Sequence, residues 1–232
     1  PEEVAQPRPT SPSPGPSSQV GGTAEQPQVI NGVDMFARNE AVTGSFDVDP
    51  MLETQPLMMP SDMSKAHAAV WGTSTSPLQL NAAFRSLKLS VTVDVAVVGP
   101  PTHEPRRRRT PVRLCASTRS EPVIMNIREV DLRYCLDLHV ESKSGDITVL
   151  LPPSFSGPII IQKKKADSLT LLPDFATTTR TLRTTDHETV LLVSSPAFPV
   201  PAIDKPLAQT ADDDLARALL HAKHGRITIG LS

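Results

Sequence analysis

The feature that most constrains this chain is a short phrase that recurs along it. A basic residue is followed by a small or polar turn and then by a strand that alternates apolar and polar residues. The phrase reads Lys143-Ser-Gly-Asp-Ile-Thr-Val149, Lys165-Ala-Asp-Ser-Leu-Thr-Leu171 and Lys223-His-Gly-Arg-Ile-Thr-Ile229, with weaker copies starting at Arg119 and Asp186. Copies in the centre begin roughly 20 to 25 residues apart, a spacing that suits one turn of a β-solenoid or one hairpin of an antiparallel sandwich. Side chains of a strand alternate between faces, so Ile147 and Val149, Leu169 and Leu171, and Ile227 and Ile229 are expected to point inward. The expected fold is therefore all-β, a layered β-repeat in a solenoid-like stack, with an antiparallel β-sandwich as the alternative.

Composition narrows this further. The chain has 232 residues, 38% hydrophobic but only 3% aromatic, so its interior has to be filled by Val, Ile and Leu, which suits a narrow, layered core. Residues 1–28, rich in Pro and Ser, offer little to bury and read as a disordered leader. Residues 29–232 read as a single β-repeat domain with a long loop at about 50–80, where Trp71 is the one large anchor, and a basic loop at about 100–111.

Strands are expected at Val29–Phe36 and Ala41–Val48, then along one long half-buried run, Arg85–Val97, with Leu87, Leu89, Val91, Val93, Val95 and Val97 on one parity. Further strands are expected near Val112–Ala116, Val123–Ile127, Leu136–Val140, Ile147–Leu151, Ile159–Gln162, Leu169–Leu172, Thr189–Val193 and Ile227–Leu231. The stretch from Asp212 to Ala222 has helical propensity, yet the neighbouring strand phrase at Lys223 points to 217–222 feeding a hairpin; strand is the preferred reading.

One segment carries a likeness to a known family. Leu151, Pro152, Phe155, Gly157 and Pro158 form a Leu-Pro-x-x-Phe-x-Gly-Pro turn, Arg38 to Asp49 ends in Thr-Gly-Ser-Phe-Asp-Val-Asp, and the chain closes on His224-Gly-Arg-Ile-Thr-Ile229. In these the chain resembles an uncharacterised domain-of-unknown-function family of fungi, chiefly basidiomycetes, over roughly residues 29 to 231. Members of that family repeat a Ser-His-Gly-Ser-Ile/Val strand. The chain departs from this at 38–40, 143–145 and 166–168, and keeps His-Gly only at 224 and 225. A more distant likeness is to bacterial adhesin-like β-repeat domains. The resemblance implies an all-β fold and brings no activity with it.

Candidate chemistry is sparse. Asp137, His139 and Glu141 alternate on one face of a strand, opposite Leu136, Leu138 and Val140; they read as a solvent face, or as a proton-transfer or binding row. Arg106, Arg107, Arg108 and Arg109 form a block within the Pro-rich loop, either as a solvated loop or as a contact for a protein or an anionic surface. Lys163 to Lys165 read as a charged edge that discourages strand addition.

Cys115 and Cys135 are the only cysteines and read as buried thiols, with a single bridge as the alternative; His221 and His224 read as surface or turn residues. No metal or cofactor is expected. The net charge of −2 gives no strong nucleic-acid signal, and no apolar run reaches the length of a membrane span. With no signal peptide in evidence, an intracellular setting is favoured. Two functions remain: a non-enzymatic scaffold or adhesin-like binding domain, or an enzyme, such as a carbohydrate-active one, working on an exposed acidic face of a β-solenoid.

Overall fold

A computed structural model describes residues 27–53, 57–58, 79–99, 109–164, 168–195 and 215–232. The first strands are β1 (Gln28–Ile30), β2 (Val33–Ala37), β3 (Val42–Val48), β4 (Leu57–Met58), β5 (Gln79–Leu80) and β6 (Ala82–Ser86). Then come β7 (Val91–Val97), β8 (Thr110–Thr118), β9 (Val123–Val130), β10 (Tyr134–Ser142), β11 (Ile147–Leu151), β12 (Gly157–Lys163) and β13 (Leu169–Leu171). A short helix, α1 (Pro173–Thr177), precedes β14 (Thr179–Thr184), β15 (Glu188–Val193), β16 (Arg217–Ala222) and β17 (Ile227–Leu231).

These strands form two large sheets. One has the order β1-β3-β7-β9-β11-β17-β13 and the other β14-β15-β12-β16-β10-β8-β6-β2, while β4 and β5 pair separately. Every pairing in the seven-stranded sheet is parallel. In the eight-stranded sheet only the hairpin of β14 and β15, added to β12, runs antiparallel. The chain alternates between the sheets, so a coil is one strand of the eight-stranded sheet, a corner, and one strand of the seven-stranded sheet. The solenoid-like stack is the fold.

The recurring phrase is the corner and the strand after it. Corners 38–41, 87–90, 119–122, 143–146 and 223–226 each join a strand of one sheet to a strand of the other. Beyond them, Val42, Val91, Val123, Ile147, Ile227 and Leu169 stand in register as one inner column. The eight-stranded sheet has an inner column of its own, Ala82, Leu114, Leu138, Ala218, Ile159 and Leu191. All are buried except Leu169, which packs half-buried against the core. Burying a large aliphatic side chain is worth about 1.5–3 kcal/mol, so each coil adds its own share of the core.

Corners are tied from within. Ser86, Thr118 and Ser142 occupy one register position at the end of their strands and are buried. Ser86 Oγ donates to the Glu40 carbonyl (3.1 Å), and Ser142 Oγ accepts the Gly145 N–H (2.9 Å). Two corners need glycine at their third position: a Cβ on Gly145 would lie 2.0 Å from the Glu121 carbonyl oxygen and one on Gly225 would lie 2.0 Å from that of Gly145.

The long strand expected at Arg85–Val97 is two strands around a corner. Ser86 Oγ accepts the Leu89 N–H (3.1 Å), which turns the backbone, and Leu87 and Leu89 stand 39% and 42% exposed while the parity from Val91 onward is buried. Val29–Phe36 is likewise broken, at Gly32, whose φ of 63° lets the chain step from β1 to β2. The Asp186 copy of the phrase is the turn of the antiparallel hairpin, not a corner of the stack. Helix α1 and strand β14 were not anticipated: Pro173 opens the helix, and Phe175 is fully buried in the end of the core. Residues 217–222 are a strand as expected, but they form no hairpin with β17, since the corner 223–226 carries the chain into the other sheet.

The last coil, β16–β17, does not lie at the end of the stack. It sits between the coil β10–β11 and the coil β12–β13, parallel to both. Residues 1–26, most of the 50–80 loop with Trp71, and residues 100–108 lie outside the described residues.

The register makes a direct prediction. Ile147→Asp places an unpaired charge in the core column and should cost several kcal/mol, most of the stability of a typical domain. Lys143→Ala, on the exposed corner, should change stability by only about 0.5 kcal/mol either way. Thermal melts of the two variants check this; an unfolded lysine variant beside a stable isoleucine variant would refute the register.

Candidate functional site

The candidate row of β10 lies on the outer face of the eight-stranded sheet, where three register rows cross the strands. The first holds Arg113 of β8, Asp137 of β10 and Arg217 of β16. Asp137 Oδ2 accepts hydrogen bonds from Arg113 Nε (3.1 Å) and Arg217 Nη2 (2.9 Å). Asp137 is 5% exposed, so this carboxylate is a buried anion between two cations and not part of an open acidic face. Arg113 and Arg217 are 21% and 28% exposed, their stems lying on the sheet.

Ala83, Cys115, His139, Leu219, Ile160 and Val190 make the second row, and all are buried. His139 is 1% exposed, against the expectation of a solvent face. Cys115 lies beside it in register. Burial pushes the Cys115 thiol up to about 12; Arg85 pulls it down in part, while Glu141 and Asp34 push it further up. At neutral pH it is a thiol, not a thiolate nucleophile. Cys115 and Cys135 are both buried, with no disulfide between them.

The third row is half-exposed: Glu141 Oε1 lies 3.5 Å from His221 Nδ1 on the neighbouring strand. Farther along it, Arg85 is ion-paired with Asp34 and lies over the Phe36 ring, 5.5 Å from its centroid. Asp137, His139 and Glu141 thus share one face, as read from the sequence, but each meets a different environment.

Arg113 and Arg217 were missed because their pairing with Asp137 exists only through the register of three strands far apart in sequence. The burial of the face did leave a signal. Leu114-Cys-Ala116, Ile159-Ile-Ile161 and Ala218-Leu-Leu220 are uninterrupted apolar triplets, the mark of parallel strands buried on both faces. Polar residues on β10 alone concealed it.

Arg109 is half-buried and lines a shallow hollow with Tyr134, Cys135, Pro152 and Phe155. Its volume of about 20 Å³ has room for a water molecule or two and not for a substrate. Arg106, Arg107 and Arg108 lie outside the described residues. Lys163 ends β12 as a buried residue, which removes it from the expected charged edge; Lys164 is exposed and Lys165 is outside the described residues. His224 lies in an exposed corner and His221 is half-exposed on β16.

Outward on the seven-stranded sheet, Thr43, Thr92, Ile124, Thr148, Thr228 and Thr170 form one straight register column. All six are exposed or half-exposed. At the strand spacing of a sheet the column runs for about 24 Å. Beside it, Arg128, at a bulge in β9, lies 2.9 Å from Asp47 Oδ1 and 3.1 Å from Asp94 Oδ1. Among the described residues no group of three or more His, Cys, Asp or Glu is placed to hold a metal ion, and no helix is long and apolar enough to cross a membrane.

Two outcomes test the buried rows. Asp137→Asn leaves two guanidiniums facing each other and should destabilise the fold by about 2–3 kcal/mol, below the full cost of breaking a buried pair because both arginines reach solvent; chemical denaturation measures it. Iodoacetamide at pH 8 should leave Cys115 unmodified in the native protein and alkylate it after unfolding, as read by mass spectrometry.

No curated protein and no solved structure matches the chain. The family described as "Domain of unknown function (DUF7330)" matches residues 31–195, from the turn before β2 to the end of the β14–β15 hairpin, leaving the coil β16–β17 outside the match. With most of its length matched, the chain belongs to this DUF7330 family of unknown function.

Proposed function

We propose that the chain is a non-enzymatic β-repeat scaffold that binds a partner, in an adhesin-like manner, through the outer face of its seven-stranded sheet. The observation that carries this is the exposed threonine column, Thr43, Thr92, Thr148, Thr228 and Thr170 with Ile124. It offers a flat row of methyl and hydroxyl groups, low in desolvation cost and low in side-chain entropy, at a fixed strand spacing. A protein surface suits such a row better than a sugar, since no aromatic residue stands in the column for a sugar to stack on.

The opposite face supports the same reading. Asp137 is engaged by two arginines and the Cys115 thiol is held protonated by burial, so neither is poised as an acid, base or nucleophile. The alternative of an enzyme on an exposed acidic face loses its main carboxylate.

A double variant, Thr92→Arg with Thr148→Arg, tests the proposal by cross-linking and quantitative mass spectrometry in cells that make the protein. Partners captured by the native chain should be lost from this variant and kept by Glu141→Gln on the other sheet. Retention by the threonine variant, or a hydrolytic activity abolished by Glu141→Gln, would sink it.

A further inference from the structure

We infer that the C-terminal coil, β16–β17, is exchangeable between copies of this chain, so that two molecules can each complete the other's stack. The slot is internal. Strand β16 is flanked by β10 and β12, and β17 by β11 and β13, in parallel register on both sides. What specifies the insert is local to the slot: the Asp137–Arg217 pair, the Glu141–His221 contact, and the fit of Gly225 under the Gly145 carbonyl. A coil supplied by a second copy would make every one of these contacts.

The length of the connection does not restrict the coil to its own slot. Val193, where β15 ends, pairs with Gly157 of β12. On the other side of Gly157 runs Ala216, whose carbonyl oxygen would lie 1.8 Å from a Cβ placed there; the φ of this glycine is +150°. The two ends to be joined are thus two strand spacings apart, about 10 Å. Residues 194–215 join them, and a chain of that length can extend to about 70 Å. The tether is several times longer than its task requires, long enough to deliver the coil to a neighbouring molecule.

A swapped pair and two closed monomers contain the same interfaces, so tether entropy and protein concentration decide between them. During refolding, a connection of this length holds its own coil at an effective concentration on the order of 1 mM. Refolding at about 1 mM should therefore send a comparable share of coils into a second copy, and refolding at about 1 μM only about a thousandth of them. Once formed, the pair should persist after dilution, because release requires a strand to leave the middle of two sheets.

The test uses the full chain. Glu141→Cys in one preparation and His221→Cys in another place single thiols at register partners on the exposed row. The two are mixed unfolded, refolded under reduction at about 1 mM and then oxidised. A cystine joining 141 of one chain to 221 of the other, mapped by mass spectrometry, is expected from the co-refolded sample and not from folded proteins mixed afterwards. The cis double variant, Glu141→Cys with His221→Cys, controls for cross-link geometry. Light scattering of the native sequence refolded at the same concentration gives an independent readout. Monomer alone in that measurement would overturn the inference, as would a dimer lacking the 141–221 cystine while the cis variant closes its own.

Discussion

Everything in this structure depends on the corners stacking in register. At each corner the backbone groups that leave one sheet are taken up by the next coil. Val42, Val91, Val123 and Ile147 donate their N–H groups to the carbonyls of Ser90, Pro122, Asp146 and Arg226. Leu87, Lys143 and Lys223 donate to Ala37, Thr118 and Ser142. A buried peptide group without a partner costs about as much as a lost hydrogen bond or more, so a corner of a different length would break the ladder on both of its sides. Uniform corners make the columns of the core uniform too, and lead the chain to repeat a phrase and not merely a pattern.

The phrase was legible because it encodes both requirements at once. Its small residues permit the close approach of corner to corner, shown by Gly145 and Gly225, and its alternating residues supply the column of Ile147, Ile227 and Leu169. What alternation alone could not give was the break in Arg85–Val97. Leu87 and Leu89 continue the parity of Val91 and Val93, yet they belong to a corner that the Ser86 hydroxyl turns. Hydrophobicity is a signal about burial, and an exposed leucine in a turn carries the same letter as a buried one. Helix α1 was hidden for a similar reason: one turn, opened by Pro173 and anchored by Phe175, is too short to show a period.

The candidate row was only half legible. Side-chain parity on β10 gave the shared face of Asp137, His139 and Glu141, but its environment is set by neighbouring strands from distant parts of the chain. Arg113 lies 24 residues before Asp137 and Arg217 lies 80 residues after it. A carboxylate flanked by two in-register guanidiniums is stabilised in place and also specifies which strands are neighbours, since a slip of one residue on β16 would present Ala216 or Ala218 to Asp137. Its contribution is as much to register as to stability, as with polar groups that fix pairing elsewhere.

That specification matters most where sequence order and spatial order part. Coils β2–β3 through β10–β11 can add one after another, each finding its neighbour already formed. The coil β12–β13 cannot follow in the same way, because the strands that lie beside β10 and β11 are the last in the chain. Until β16 and β17 arrive, two parallel edges stand open and Asp137 lacks one of its cations. Closing a loop over this distance costs little more entropy than closing a short one, but the contact is non-local, and non-local pairing is slow. An unfinished stack with open edges invites any strand of matching register. The Arg217 partner, the glycine under the Gly145 carbonyl and the apolar triplet Ala218-Leu-Leu220 confine that invitation to one sequence, the coil that ends this chain.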